Sequence, residues 1–175
     1  MGITYYKAVQ PNGTDFHTGR IDYLAEGEIT HPAPSAKGTT DAAGYLSVSI
    51  VATDCTGSSW PARLLEVEAV GAVWAPHSDL PNKRAVKALR VVRELDAHLL
   101  LGPQGREIAA LVERAKTLTY EESRRLDAAR DAAWALITRD LIGTEGYTQE
   151  HYDLITTPWR KVIGPIHPDD TDLRA

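Results

Sequence analysis

Five polar side chains in the first 70 residues sit where strand geometry would let them act together. Lys7 lies in the apolar stretch 3–9, Ser47 and Ser49 in 45–51, and Glu66 and Glu68 in 63–70. Residues two apart on a strand share a face, so Glu66 and Glu68 point the same way, as do Ser47 and Ser49. A half-exposed antiparallel strand alternates apolar and polar residues in any case, so the pattern also describes plain solvated strands.

Other chemistry finds less support. Of the six histidines, His151 lies near Asp153, and His167 lies beside Asp169 and Asp170. Imidazole with carboxylate suits a divalent metal, but no two histidines have the one-turn spacing that puts both on one helix face. The expectation is no metal site: a capped surface helix and a solvated tail. No Gly-x-Ser-x-Gly elbow occurs, and the glycines 102 and 105 lack the Lys-Ser/Thr pair of a phosphate loop. Cys55 is the single cysteine, so no internal disulfide and no Cys-x-x-Cys site is available. Its neighbour Asp54 disfavours a thiolate, and an inert thiol is expected. No cofactor and no catalytic set is expected on this reading.

The order Lys7, Ser47-Val48-Ser49, Glu66-Val67-Glu68 resembles the Arg, Ser-Thr-Ser, Glu-x-Glu pattern of arginine-type ADP-ribosyltransferases. That resemblance implies NAD as substrate, with Lys7 gripping the dinucleotide, Ser47 and Ser49 ordering the site, and Glu68, the last Glu of Glu66-Val67-Glu68, polarising the ribose. The chain departs from the pattern in having Lys for Arg and a short Ser49-to-Glu66 separation.

A binding alternative sits near the C-terminus. Tyr147, Tyr152, Trp159, Arg160 and Lys161 are of the residue types that dominate interface hot spots, and they offer a partner-docking surface. The plainer reading is that Trp159 and Ile163, four apart, fasten the last helix onto the domain.

The elements that must position these residues fall into two grammars. Residues 3–9, 20–24, 27–30, 45–51 and 63–70 read as strands among Gly/Pro/Asp/Ser-rich loops, with Gly71 a bulge or turn. The stretch 45–51 could also feed a helix capped by Ser49. Residues 83–95 are ambiguous, because Ala85, Ala88, Leu89, Val92 and Leu95 keep helical spacing. From Gln104 onward the chain is helical. Ile108, Leu111, Val112 and Ala115 form one stripe. Thr119 and Glu122 form a capping box that opens a helix through Leu126, Ala129, Ala133, Trp134, Leu136 and Leu141, with Trp134 in the core. Thr148 caps a short helix ending near Ile155. Thr157-Pro158 is an N-cap and first helical position for a separate last helix, and the tail after His167 is polar and frayed.

Composition narrows the function classes. The 175 residues carry 19 Lys+Arg, 24 Asp+Glu and a net charge of −5. Residues 1–80 hold four Lys/Arg against nine Asp/Glu, and residues 81–175 hold fifteen of each. Neither half has the basic excess of a nucleic-acid binder, so nucleic acid is not an expected partner. No apolar run approaches the roughly 18 residues of a membrane helix, and no signal-peptide pattern opens the chain. A cytoplasmic protein is expected.

Tyr5-Tyr6-Lys7-Ala8, residues 23–27, Gly44-Tyr45-Leu46 and the run 65–73 together resemble an uncharacterised domain common in phage and prophage proteins. That family closes with a strand, which residues 89–95 match, so the resemblance moves residues 88–94 to strand. Asp140-Leu141-Ile142, Glu150-His151-Tyr152-Asp153 and residues 158–170 resemble a tail found in small actinobacterial and actinophage proteins. The expectation is therefore an α+β protein, with a β-rich domain over residues 1–96 and a helical region over 97–175. Its expected role is that of a non-catalytic phage or prophage accessory protein, cytoplasmic in the host. It would bind a host or phage protein or form a homo-oligomer. An NAD-using transferase and a virion structural component are the alternatives.

Overall fold

A computed structural model describes residues 4–55, 57–125, 135–144 and 146–174, the side chains of 123–125 aside. The fold is α+β, with a five-stranded antiparallel sheet followed by helices. The chain divides into two compact units, Met1–Leu100 and Leu101–Ala175.

In the first unit the strands are β1 (Thr4–Val9), β2 (Glu28–Thr30), β3 (Leu46–Ser49), β4 (Arg63–Trp74) and β5 (Lys83–Leu95). The order is β2-β5-β3-β1-β4, and β4 also pairs with β5, so four strands close on themselves and β2 lies outside the ring on β5. Closure leaves an interior filled by side chains. Tyr5, Val9, Leu46, Val48, Leu65, Val67, Val86 and Leu89 fill it, with Tyr23 and Ile29 supplied from outside the closed ring. Burying a side chain of this size contributes about 1.5–3 kcal/mol each.

The long strand β5 resolves the ambiguity of its sequence. Val86 and Leu89 both belong to the main core although they are three apart, so the inward-facing parity changes between them. Ala85 packs on the other side with Tyr45 and Trp74. A strand buried on both faces and bent in the middle places apolar residues at i, i+1, i+3 and i+4, which imitates a helix. Opposite it, β4 slips register between Val70 and Val73. Gly71 takes φ +81° there, a backbone conformation that side chains with a Cβ resist. Residues 20–24 correct the sequence reading. They form no strand, only an isolated bridge of Asp22 to Thr14, because the Asp15 carboxylate gathers the backbone N–H groups of this segment instead. Ser49 caps no helix either; its hydroxyl accepts from the Val51 N–H in a local turn.

The second unit contains α1 (Gly105–Lys116), α2 (Tyr120–Arg125) and α3 (Gln149–Ile163). Helix α1 buries Ile108 and Leu111, which meet Leu136, Trp159, Ile163 and Ile166. Thr119 and Glu122 form their capping box, with both Thr119 groups donating to the Glu122 carboxylate. The expected continuation through Leu126, Ala129, Ala133 and Trp134 lies outside the described residues. Thr148 caps α3 with His151 as its reciprocal partner.

Two expectations fail in this unit. Helix α3 does not stop near Ile155 and restart at Pro158; it runs through as one element with Pro158 inside. Proline removes the N–H that would reach Leu154, at a cost of about 3 kcal/mol. The hydroxyls of Thr156 and Thr157 donate to the carbonyls of Tyr152 and Asp153, which occupies acceptors in the turn before the break. The tail after His167 is also held rather than frayed. The Asp170 carboxylate accepts from the Ile166 and His167 N–H groups and from the Tyr152 hydroxyl. The Arg160 guanidinium donates to the Thr171 carbonyl.

Candidate functional site

The loop that follows β1 shapes one wall of a cavity. Asp15 is almost fully buried, and its two carboxylate oxygens accept from the Thr18 N–H and hydroxyl and from the Arg20 and Ile21 N–H groups. Burial pushes this carboxyl up, but the four hydrogen bonds outweigh it and hold the group well below the usual carboxylate range. The side chain therefore orders the loop and has little capacity left for a ligand.

The cavity opens where β1 and β3 part. These strands share one ladder pair, Tyr6 with Ser49, and beyond it Lys7, Ala8 and Ser47 line the cavity. The space measures about 440 Å³, within the size range of small-molecule sites. Phe16, Ile21, Tyr23 and Tyr45 give it an apolar lining, and Lys7, Lys83, His31, Arg20 and His17 give it cationic or donor groups.

Lys7 stands on the face of β1 that also carries Tyr5 and Val9. Its Nζ lies 5.0 Å from the centre of the Tyr23 ring. Desolvation lowers its pKa to about 8; Cys55 and Asp15 oppose that shift and Lys83 adds to it. His31 is buried, and its Nδ1 accepts from the Ala33 N–H at 3.1 Å. In the neutral ring the proton then sits on Nε2, which makes that atom a donor. Tyr45 is buried too, with its hydroxyl 3.3 Å from His77 Nε2.

No family model matches the chain, and no curated protein or solved structure matches it.

The residues singled out from sequence fare differently. Lys7 lines the cavity, and Ser47 with it. Ser49 does not; it is buried, donating to the Asn82 carbonyl at 3.3 Å, and it borders a separate pocket of only about 20 Å³. Glu66 and Glu68 pair across β1 with Tyr6 and Thr4, whereas Lys7 pairs with Leu65. Ladder partners share a face, so both carboxylates lie on the face opposite Lys7. Glu66 is bound by Arg93, and Glu68 is exposed. The set Lys7, Ser49, Glu66 and Glu68 does not converge on one cleft, which removes the geometry that the transferase resemblance requires.

Cys55 borders the small pocket. Burial pushes its thiol up to about 11; the Ala8 backbone and Lys7 oppose this, and Asp54 is the smallest contributor. Asp54 was the reason read from sequence, and desolvation is the larger one.

Of the five docking residues, Tyr152, Trp159 and Arg160 are buried. Tyr152 lies under the Arg139 guanidinium, 5.0 Å from it, and Arg160 pairs with Asp153 at 2.7 Å. Tyr147 is half-buried, its hydroxyl 3.0 Å from Thr138 Oγ1. Lys161 is exposed. Four of the five are thus engaged within the helical unit. His151 Nδ1 accepts from the Thr148 N–H, and His167 Nδ1 from the Asp169 N–H. Among the described residues no group of three or more His, Cys, Asp or Glu side chains is placed to hold a metal ion. Nor is any helix among them long and apolar enough to cross a membrane.

Sequence reasoning did not bring together Lys83, His31, Asp15, Tyr23 and Tyr45. They come from β5 and from the β1–β2 and β2–β3 connections, so no local spacing links them. The one local signal is Asp15 followed by Thr18, a short polar turn with backbone donors to gather.

Proposed function

We infer that the N-terminal unit is a receptor for a small organic anion with a compact apolar body. One observation carries this reading. The charged groups lining the cavity are all cationic or donating except Asp15, and Asp15 is occupied by its own loop. In a chain of net charge −5, such a lining selects against its own surroundings and for an anion. Lys83 and, below about pH 8, Lys7 supply charge, His31 Nε2 a donor, and Phe16, Ile21 and Tyr23 an apolar wall. A carboxylate or phosphate on a ring or short chain fits this chemistry.

The test uses benzoate against benzamide, which has the same shape without the charge. In ¹H–¹⁵N spectra of the full chain, benzoate should shift the amides of residues 7, 8, 31, 47 and 83 saturably. Benzamide should do so about tenfold more weakly, and Lys83→Met should weaken benzoate by a similar factor. That corresponds to about 1.5 kcal/mol, the size of a hydrogen bond to a charged group. Equal binding of the two probes, or shifts confined to other surfaces, contradicts the reading.

A second reading, docking by the helical unit in a phage or prophage accessory protein, is favoured by adjacent Leu154 and Ile155, both exposed on α3. Affinity capture from host lysate with the full chain and with a chain ending at Gly146 tests it. A host or phage protein retained only by the full chain supports docking, and no difference between the two rejects it. Light scattering of the same samples tests self-assembly.

A further inference from the structure

Among the described residues, Lys7 is the cation of the cavity whose amine lies over an aromatic ring. Its amine lies over the Tyr23 ring, and among the described residues it makes no ion pair. Asp15, whose charge it feels, has its carboxylate oxygens turned to the N–H groups of residues 18, 20 and 21. Cys55 is the other group that could neutralise an ammonium, but its thiol is held protonated, with a pKa pushed up to about 11. Lys83 lies near enough for its charge to disfavour a second ammonium. Every neighbour that would keep Lys7 charged is thus otherwise engaged, and the neighbour that opposes its charge is another lysine. Desolvation and a second cation lower the pKa of such an amine, so its lone pair is free for nucleophilic attack above about pH 8.

We propose that Lys7 is a carbonyl-capturing amine, and that the anion this cavity takes carries an aldehyde or 2-oxo group that Lys7 holds as an imine. The proposal rests on the anion-receptor reading above and adds the class of ligand to it. The neutral Lys7 nitrogen gives its lone pair to the carbonyl carbon, and the carbonyl oxygen takes one of the nitrogen's two protons. The carbon–oxygen bond of this carbinolamine then breaks. The hydroxyl leaves as water with the second nitrogen proton, and the carbon–nitrogen double bond forms. Nothing is oxidised or reduced. Lys83 and His31 would hold the ligand's anionic group, so that attack occurs within a bound complex rather than between free partners.

Glyoxylate with cyanoborohydride tests the proposal on the full chain. The reductant delivers hydride to the imine carbon and leaves a stable carboxymethyl amine that peptide mass mapping can locate. Lys37, Lys116 and Lys161 are exposed and serve as internal references. Lys7 should label about tenfold faster than these, with a rate that climbs with pH through about 8. Desolvation is the largest influence on this midpoint; Tyr23 faces the amine, Cys55 and Asp15 oppose the shift, and Lys83, removable by substitution, adds to it. Lys83→Met should slow labelling at Lys7 and leave the references unchanged, and benzoate should protect Lys7 alone. Labelling of Lys7 no faster than the exposed lysines overturns the proposal. If benzoate still shifts the cavity amides in that case, only the imine is lost and the receptor stands. If it does not, both readings fail.

Discussion

At the scale of single residues, Lys7 gives the sharpest test of what burial does. Its pKa lies at about 8 in the folded chain, below the ordinary value of 10.5. The unfolded chain therefore binds more protons between those two values, and stability rises with pH across that window. Below pH 8 the full penalty for holding a charged Lys7 in the cavity is present. Lys7→Met should accordingly stabilise the protein at pH 7 by about 2 kcal/mol, a figure reduced from the full shift because Lys7 keeps some exposure. By pH 10.5 most of that gain should be gone. Urea unfolding of both proteins at pH 7 and pH 10.5 measures the difference, which also cancels the opposite titration of Cys55. A gain of the same size at both pH values would mean that Lys7 is not desolvated. Little of this was legible in the sequence. Lys7 on an apolar strand was visible, but its neighbours Lys83, Asp15 and Tyr23 are brought to it only by folding.

At the scale of elements, the sequence was readable wherever local chemistry decides the outcome. The stripe of α1, the Thr119 box and Gly71 at the β4 irregularity all behave as their residue types dictate. It misled where tertiary packing overrides local preference. Thr157-Pro158 has the form of a helix start, yet burial of Trp159, Arg160 and Ile163 on the same face as Tyr152 and Thr156 makes one continuous helix the better solution. This predicts that Pro158→Ala stabilises the chain by about 1–2 kcal/mol, since the restored N–H can reach Leu154 while the unfolded chain regains only about 0.4–1 kcal/mol of entropy. Chemical denaturation followed by far-UV circular dichroism checks it. A loss of stability would show that the proline is accommodated without strain. Likewise β5 reads as a helix until its bend between Val86 and Leu89 is known, because a parity change on a doubly buried strand and a helical period place apolar residues alike.

At the scale of the whole molecule, the division of labour follows the two units. Every residue lining the large cavity lies within residues 7–83, inside the first unit. Overall composition pointed away from this site, because the first 80 residues are net acidic. Counting charges along the chain hides the fact that Lys7, Arg20 and Lys83 gather at one opening while Glu66, Glu68 and Glu94 occupy the other face or the strand ends. A chain of residues 1–100 should therefore fold with a dispersed amide spectrum and bind benzoate as the full chain does, within about twofold, since sites without shared partners act independently. The most direct measurement of what enters the cavity is a crystal of the full chain grown with 4-iodobenzoate, with the iodine located by anomalous scattering. Iodine should lie inside the cavity of about 440 Å³, with the carboxylate within hydrogen-bonding distance of Lys7 or Lys83. An empty cavity with iodine bound only at other surfaces would contradict the anion-receptor reading.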